Sequence, residues 1–62
     1  MNYEMLRARM FAKRVSMRAL AESLGISKNA LYARFNGKVE FKRSEILKIC
    51  EVLVIDDPAP YF

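Results

Sequence analysis

The chain has 62 residues, of which 53% are hydrophobic and 29% charged, and its net charge is +4. This composition is typical of a folded protein, and the length allows one small domain that buries only about 60% of its unfolded surface. With one cysteine, Cys50, and no histidine, the chain has neither an internal disulfide nor a zinc-finger ligand set, which favours a reducing cytoplasm. It also lacks a signal peptide core and the run of about 20 apolar residues that a membrane span needs.

The charges are unevenly distributed along the chain. Ten basic residues lie between Arg7 and Arg43, where the only acidic residues are Glu22 and Glu40. From Ser44 onward Lys48 is the one basic residue against four acidic ones: Glu45, Glu51, Asp56 and Asp57. This segregation predicts one surface that attracts a polyanion and another that is free for other contacts.

The first predicted element is an amphipathic helix from Tyr3 to Lys13, because Tyr3, Leu6 and Met10 recur at helical spacing between basic residues. A short turn at Arg14 follows, after which Val15 is expected to point inward.

Two short helices joined by a tight turn are predicted between Ser16 and Gly37. Ser16 and Ser27 are suitable N-caps, and Gly25 can adopt the left-handed conformation that ends the first helix. The second helix carries Leu31 and Phe35 on one face, and Asn36-Gly37 supplies its stop signal. The opposite face, which is polar, cationic and aromatic, is expected to be exposed.

The remainder of the chain is predicted to contain a loop, Lys38–Lys42, and a core helix, Arg43–Leu53. Five apolar residues of this helix have helical spacing: Ile46, Leu47, Ile49, Cys50 and Leu53. Asp56 or Asp57 can cap one last turn that has Pro58 near its start. We therefore predict a single all-α domain over residues 1–62, a compact bundle of four to five short helices.

The segment Ser16–Gly37, SMRALAESLGISKNALYARFNG, resembles the helix-turn-helix of phage repressors and Cro-like proteins, the XRE family. The resemblance extends outward to Leu6 and Phe62. It implies a lambda-repressor-like fold, with residues 27–36 as the recognition helix in the DNA major groove. It also implies a transcriptional regulator of a phage or a bacterium that binds a palindromic operator as a dimer.

The sequence departs from this family at five positions. Family members often have glycine where Arg14 and Val54 stand, and a phosphate-binding glutamine where Met17 stands. Some repressors carry a buried arginine and glutamate at the positions of Met10 and Phe35, which are both apolar here and suit a packed core. The turn at Arg14 therefore either tolerates a side chain or closes differently.

Four residues of the second motif helix are candidates for base contacts: Lys28, Asn29, Tyr32 and Ala33. Lysine can donate to guanine O6 and N7, and asparagine can pair bidentately with adenine. By the resemblance, Ala33 also falls on a base-reading position, where its methyl group can meet a thymine methyl. Tyr32 can stack on sugar or donate to a phosphate. The competing interpretation is that Lys28 and Asn29 are only a solvated helix start.

Two further sets of residues complete the expected interface. Phosphate contacts are expected from Ser16, Arg18, Asn36, Lys38, Lys42 and Arg43, which would position the protein without reading sequence. Apolar residues at the chain end are expected to form a weak homodimer: Val54, Ile55, Tyr61 and Phe62.

No pattern of residues points to an enzyme, a cofactor or a small-molecule substrate. The chain lacks histidine and a glycine-rich phosphate loop, and Cys50 is placed on the apolar face of a helix. Two other functions remain open: a helical protein-interaction module, as in antitoxins of the same family, and charge-driven binding to any nucleic acid. Salt dependence and sequence preference of binding distinguish these from a specific DNA-binding regulator.

Overall fold

The computed structural model describes residues 1–62, and its regular structure is entirely helical. The four helices are α1 (Tyr3–Ala12), α2 (Met17–Leu24), α3 (Lys28–Phe35) and α4 (Arg43–Leu53). This confirms the predicted all-α bundle. Residues 54–62 form turns in place of a fifth helix; Asp57 caps one of them by accepting a hydrogen bond from the Ala59 N–H at 3.1 Å.

Each helix begins with a side chain that satisfies a free backbone N–H group. In three of them the N-cap side chain accepts from the N–H three residues further on: Asn2 from Met5, Ser16 from Ala19 and Ser27 from Ala30, all at 3.0 Å. The predicted caps Ser16 and Ser27 are thus confirmed. In α4 the arrangement is reversed, since the Glu45 carboxylate accepts from the backbone N–H of the N-cap residue Lys42 at 2.8 Å.

All four helices end in the same way, with a left-handed residue followed by a backbone hydrogen bond that reaches back five residues. The left-handed residues are Arg14 (φ 55°), Gly25 (φ 70°), Gly37 (φ 77°) and Val54 (φ 55°). The bonds run from the N–H groups of Val15, Ile26, Lys38 and Ile55 to the carbonyls of Met10, Ala21, Ala33 and Cys50. This is the Schellman arrangement that glycine normally favours. The turn at Arg14 therefore does tolerate a side chain.

Nine buried side chains from all four helices and the C-terminal segment form one core: Leu6, Met10, Leu20, Ala21, Leu31, Phe35, Ile49, Leu53 and Ile55. Within it, α2 packs against both α3 and α4. Helix α4 buries the face that contains Ile49 and Leu53, whereas Ile46 is only half-buried and Leu47 is 59% exposed. The expectation that Leu47 belongs to the core is wrong, because it lies on the far side of α4.

The two chain ends are joined to the core through aromatic rings. The Phe35 ring contacts Tyr3 and Phe41 at centroid distances of 5.8 and 6.0 Å, and Phe41 contacts Phe62 at 5.6 Å. The backbone N–H of Asn2 also donates to the carbonyl of Tyr61 at 2.8 Å. The C-terminal residues are thus held against their own chain.

This packing limits how much of the predicted dimerisation surface at the end of the chain is accessible. Ile55 is 8% exposed and belongs to the core of its own chain, while Tyr61 and Phe62 are half-buried against that core. Of the four residues proposed from sequence, Val54 alone is well exposed, at 59%. Ile55 therefore has little surface to offer a partner, whereas Val54 and parts of Tyr61 and Phe62 stay accessible.

Candidate nucleic-acid interface

Helix α3 presents a polar face to solvent because its apolar face is anchored in the core. Leu31 is fully buried and Phe35 is 5% exposed. Lys28 and Asn29 are exposed in the first turn, and Tyr32 is exposed one turn later. Asn29 points away from the core, whereas Lys28 lies seven residues before Phe35 on the same side of α3 and is exposed because it begins the helix. With α3 beginning at its Ser27 cap, these three side chains form an uninterrupted donor-rich face at the amino end of the helix.

Ala33, the fourth candidate for a base contact, is half-buried. Its carbonyl accepts hydrogen bonds from the N–H groups of Lys38 and Val39, at 3.0 and 3.4 Å, as the chain turns after α3. Part of its methyl group remains accessible, so Ala33 can make an apolar contact and no side-chain hydrogen bond.

The start of α2 provides two of the expected phosphate-binding groups. The Ser16 oxygen accepts from the Ala19 N–H, which leaves its hydroxyl hydrogen free to donate. Arg18 is exposed, and its only ion pair is with Glu22, one turn along the same helix at 3.5 Å. Exposed pairs of this kind contribute little free energy, so the Arg18 guanidinium can exchange this partner for a phosphate.

The other four expected phosphate-binding residues lie in the segment after α3 and at the start of α4. Asn36, Lys38, Lys42 and Arg43 are all exposed, and none of the three basic side chains takes part in an ion pair within the chain. These side chains flank the carboxyl end of α3 and the start of α4. The basic groups therefore lie at both ends of the helix-turn-helix.

Two of the ten clustered basic residues serve the fold instead. Arg34 is about one-tenth exposed and donates to both carboxylate oxygens of Glu45, at 3.0 and 3.1 Å. Arg9 donates to the backbone carbonyls of Leu53, at 2.9 Å, and Val54. These pairings remove both guanidinium groups from the surface that the charge pattern predicted.

Glu45 is the one buried charged residue. Burial by itself raises the pKa of its carboxyl group, but the hydrogen bonds from Arg34 and from the Lys42 N–H, together with the charge of Arg34, outweigh this, and the pKa falls below 4.5. The carboxylate therefore stays ionised at neutral pH.

An open cleft of about 320 Å³ separates the first turns of α1 from the last turn of α3. It is lined by Tyr3, Glu4, Arg7, Tyr32, Phe35 and Asn36. The guanidinium of Arg7 lies 6.0 Å from the centre of the Phe35 ring, next to the exposed end of α3. The sequence pattern did not single out Arg7, because its position beside α3 depends on how α1 packs.

Elsewhere the surface carries one large exposed aromatic side chain. Phe11 is 86% exposed at the turn between α1 and α2, in an open depression that Arg14 and Ser16 also line.

None of the four helices has the length and apolar character needed to cross a bilayer.

Comparison with known proteins relates the chain to one family. The family described as bacterial regulatory proteins, tetR family, matches residues 9–41, which is just over half of the chain. The matched segment includes α2, α3 and the turn between them, so it confirms the predicted helix-turn-helix of a regulator. It does not support the more specific assignment to phage repressors and Cro-like proteins. Neither the curated proteins nor the solved structures searched contain a match.

Proposed function

We propose a mode of DNA binding for this chain, which belongs to the tetR family of bacterial regulatory proteins and is a helix-turn-helix regulator that binds DNA. In this proposal α3 enters the major groove of double-stranded DNA with its amino end first. The observation that carries the proposal is the exposure of Lys28 and Asn29 in the first turn of α3, whose apolar residues Leu31 and Phe35 are buried in the core.

Base recognition is assigned to the exposed face of α3. Lys28 can donate to guanine O6 and N7, and Asn29 can pair with adenine N6 and N7, each worth about 1–3 kcal/mol of discrimination when well placed. Ala33 would meet a thymine methyl group. Tyr32, one turn further from the amino end, would donate to a phosphate or stack on a sugar.

Positioning on the duplex is assigned to the basic groups at the two ends of the motif. Ser16 and Arg18 would bind one stretch of the sugar-phosphate backbone. Asn36, Lys38, Lys42 and Arg43 would bind another. The absence of intrachain ion pairs at Lys38, Lys42 and Arg43 supports this, since no pairing within the chain has to be broken when phosphate binds.

One α3 offers few base contacts, so we propose binding as a homodimer to two half-sites of a palindromic operator, about 34–36 Å apart. From the sequence resemblance of residues 6–62 to phage repressor and Cro-like proteins we further propose that the chain is a repressor of a prophage or bacterium. A protein that binds chromosomal or phage DNA in this way would act in the bacterial cytoplasm.

The test begins by selecting tight binders from a pool of random duplexes. Binding of Lys28→Ala and Asn29→Ala is then measured on the selected duplex and on a scrambled one. We expect each substitution to weaken binding to the selected duplex by about tenfold, as for the loss of about 1.4 kcal/mol, and to leave binding to the scrambled duplex nearly unchanged.

The matched control is Lys42→Ala, which should weaken binding to both duplexes by the same factor because phosphate contacts carry no sequence information. If Lys28→Ala and Asn29→Ala also weaken both duplexes equally, α3 does not read bases. If the wild-type chain selects no duplex sequence, binding is driven by charge alone or the chain is a protein-interaction module.

A further inference from the structure

The cleft between α1 and α3 contains a cation that the fold does not use. Arg7 is exposed, forms no ion pair within the chain, and has its guanidinium 6.0 Å from the centre of the Phe35 ring. A ring face attracts the charge but accepts none of the N–H groups in the way an oxygen does. Unlike the donors of Arg9 and Arg34, which bind oxygens of the chain, those of Arg7 are therefore free for a ligand.

Two further donors reach the same cleft from the other helix. Tyr32 and Asn36, the C-cap of α3, line it and are exposed, and they lie four residues apart on one face of the helix. The Tyr3 hydroxyl is already used, because it donates to the Arg34 carbonyl at 3.0 Å. A guanidinium, a phenol and a carboxamide thus converge on one open space, and together they suit an anion with several acceptor oxygens.

The position of the cleft relative to the proposed groove indicates which anion this is. Helix α3 has 8 residues and is about 12 Å long, whereas the major groove is about 8.5 Å deep. When the amino end of α3 enters the groove, its last turn therefore stays at the level of the sugar-phosphate backbone. The cleft opens beside this last turn, where the anions of a duplex are the phosphodiesters.

We infer that Arg7, Tyr32 and Asn36 hold one backbone phosphate of the DNA in this cleft, so that α1 takes part in the interface. The inference rests on the proposed function and deepens it. It adds Arg7 to the phosphate-binding residues and assigns the Tyr32 hydroxyl to a phosphate instead of a sugar. Because an arginine can bind a phosphate through two N–H groups in a fixed direction, this contact would also set the tilt of α3 in the groove.

Glu4 is the one acidic residue that lines the cleft, and it opposes the binding of an anion. It lies in the first turn of α1, where a carboxylate stabilises the helix, and it forms no ion pair within the chain. Glu4→Gln removes its repulsion and should strengthen DNA binding by about two- to threefold at low salt. Weaker binding by Glu4→Gln would show that Glu4 itself accepts a hydrogen bond from DNA, which overturns the phosphate assignment.

The diagnostic variant is Arg7→Met, with Lys13→Met as the matched control. Methionine removes the charge but keeps an unbranched side chain that can still cover Phe35. Lys13 is exposed and without an ion pair at the other end of α1. We expect Arg7→Met to weaken binding by about tenfold per bound protomer and to reduce the salt slope by about 0.9, on both the selected and the scrambled duplex. Lys13→Met should leave both quantities nearly unchanged, and urea denaturation shows whether the two variants are equally folded.

A double-mutant cycle tests whether Arg7 and Tyr32 bind the same phosphate. Tyr32→Phe removes only the hydroxyl group and should weaken binding by about fivefold. Independent contacts would give a loss of about fiftyfold in the double variant Arg7→Met/Tyr32→Phe. A shared phosphate predicts a distinctly smaller loss, because removing one partner already weakens the contact of the other.

The phosphate itself is located with duplexes in which one phosphate at a time is replaced by an uncharged methylphosphonate. One such position should weaken binding of the wild type and have no effect on Arg7→Met. The inference is overturned if there is no such position, if the losses of Arg7→Met and Tyr32→Phe multiply, or if Arg7→Met and Lys13→Met have equal effects.

These outcomes separate the inference from the proposed function. If Lys28→Ala and Asn29→Ala affect only the selected duplex while Arg7→Met binds like the wild type, the phosphate site in the cleft is wrong and base reading by α3 stands. If Arg7→Met behaves as expected but Lys28→Ala and Asn29→Ala weaken both duplexes equally, the phosphate site stands and base reading fails. A chain that binds no duplex would overturn both.

Discussion

Arg34 and Glu45 form a buried two-point ion pair that joins the last turn of α3 to the first turn of α4. The same Glu45 carboxylate accepts from the N–H of Lys42, and the same guanidinium donates to the carbonyl of Ala30. The pair therefore fixes the angle between the proposed recognition helix and α4, and it holds the loop between them.

Removing one member of this pair is expected to destabilise the protein strongly. Glu45→Gln keeps an acceptor for Lys42 but leaves the Arg34 charge buried without a counter-charge, which costs about 2–3 kcal/mol. A domain of this size has a free energy of unfolding of only about 3–9 kcal/mol, so the loss is easily measured by urea denaturation.

The double variant Arg34→Met/Glu45→Met keeps this prediction testable if the single variant does not fold. Replacing a buried ion pair with apolar side chains is often neutral or stabilising, so the double variant should be more stable than Glu45→Gln. Equal destabilisation by both would show that the side-chain volume and the capping of α4 matter and the charge pairing does not.

Acid pH should lower the free energy of unfolding, because the Glu45 carboxylate becomes protonated. The pKa of Glu45 lies below 4.5 in the folded state, so its contribution is fully present above the unfolded value. It is lost as pH falls through 4.5 toward the folded value. Urea denaturation at about pH 7 and about pH 3.5 should show a larger loss for the wild type than for Glu45→Gln, which has no proton to bind there. The same loss in both proteins would contradict this account.

Arg9 is expected to contribute to stability and not to DNA binding. Its guanidinium satisfies the carbonyls of Leu53 and Val54 at the end of α4, where a cation also interacts favourably with the helix dipole. Arg9→Met should lower the free energy of unfolding by about 1–3 kcal/mol. The exposed control Lys13→Met should have an effect of about 0.5 kcal/mol or less. A weaker DNA complex with unchanged stability would reverse this assignment.

The parts of the fold that the sequence predicted are those that depend on local chemistry. Ser16, Ser27 and Gly25 act on groups within a few residues of themselves, so their capping roles follow from their positions alone. The exposure of Asn29 follows from the same local pattern, because Leu31 and Phe35 determine which side of α3 faces the core, and Lys28 is exposed because it is the first residue of the helix. A helix-turn-helix could therefore be recognised before its structure was known.

The missed features depend on contacts between residues that are distant in sequence. Arg9 reaches Leu53 across 44 positions, and nothing near Arg9 indicates such a partner. Leu47 has the same spacing pattern as the buried residues of α4, so periodicity alone could not show which of two apolar stripes faces the core. Glu45 did have a recognisable local pattern, because a glutamate at the third position of a helix commonly accepts a hydrogen bond from the backbone N–H of the N-cap residue. In α4 that residue is Lys42.

Glycine at the two strained helix ends is expected to stabilise the protein. Arg14 and Val54 both have a φ of 55°, a conformation that costs a residue with a side chain about 1–2 kcal/mol. The penalty is largest for a β-branched residue. Val54→Gly should therefore raise the midpoint of thermal unfolding by about 4–8 °C, and Arg14→Gly by somewhat less.

The control for these substitutions is Val52→Gly, which lies within α4 two residues earlier and should be destabilising. Because Val54 also belongs to the predicted dimerisation residues, unfolding is measured at low protein concentration, where pairing does not contribute. If Val54→Gly and Val52→Gly destabilise equally, the left-handed turn at Val54 is not strained.

The salt dependence of DNA binding should report the number of phosphate contacts. If each bound protomer neutralises about five phosphates, the logarithm of the association constant falls with the logarithm of salt concentration with a slope near −4 to −5 per protomer, since each phosphate contributes about 0.9. Lys38→Ala should reduce the magnitude of this slope by about 0.9 per bound protomer. Lys48→Ala, on α4 and within ion-pair distance of Glu51, should leave it unchanged. Equal slopes for wild type and Lys38→Ala would remove Lys38 from the interface, and a slope near zero would exclude phosphate contacts altogether.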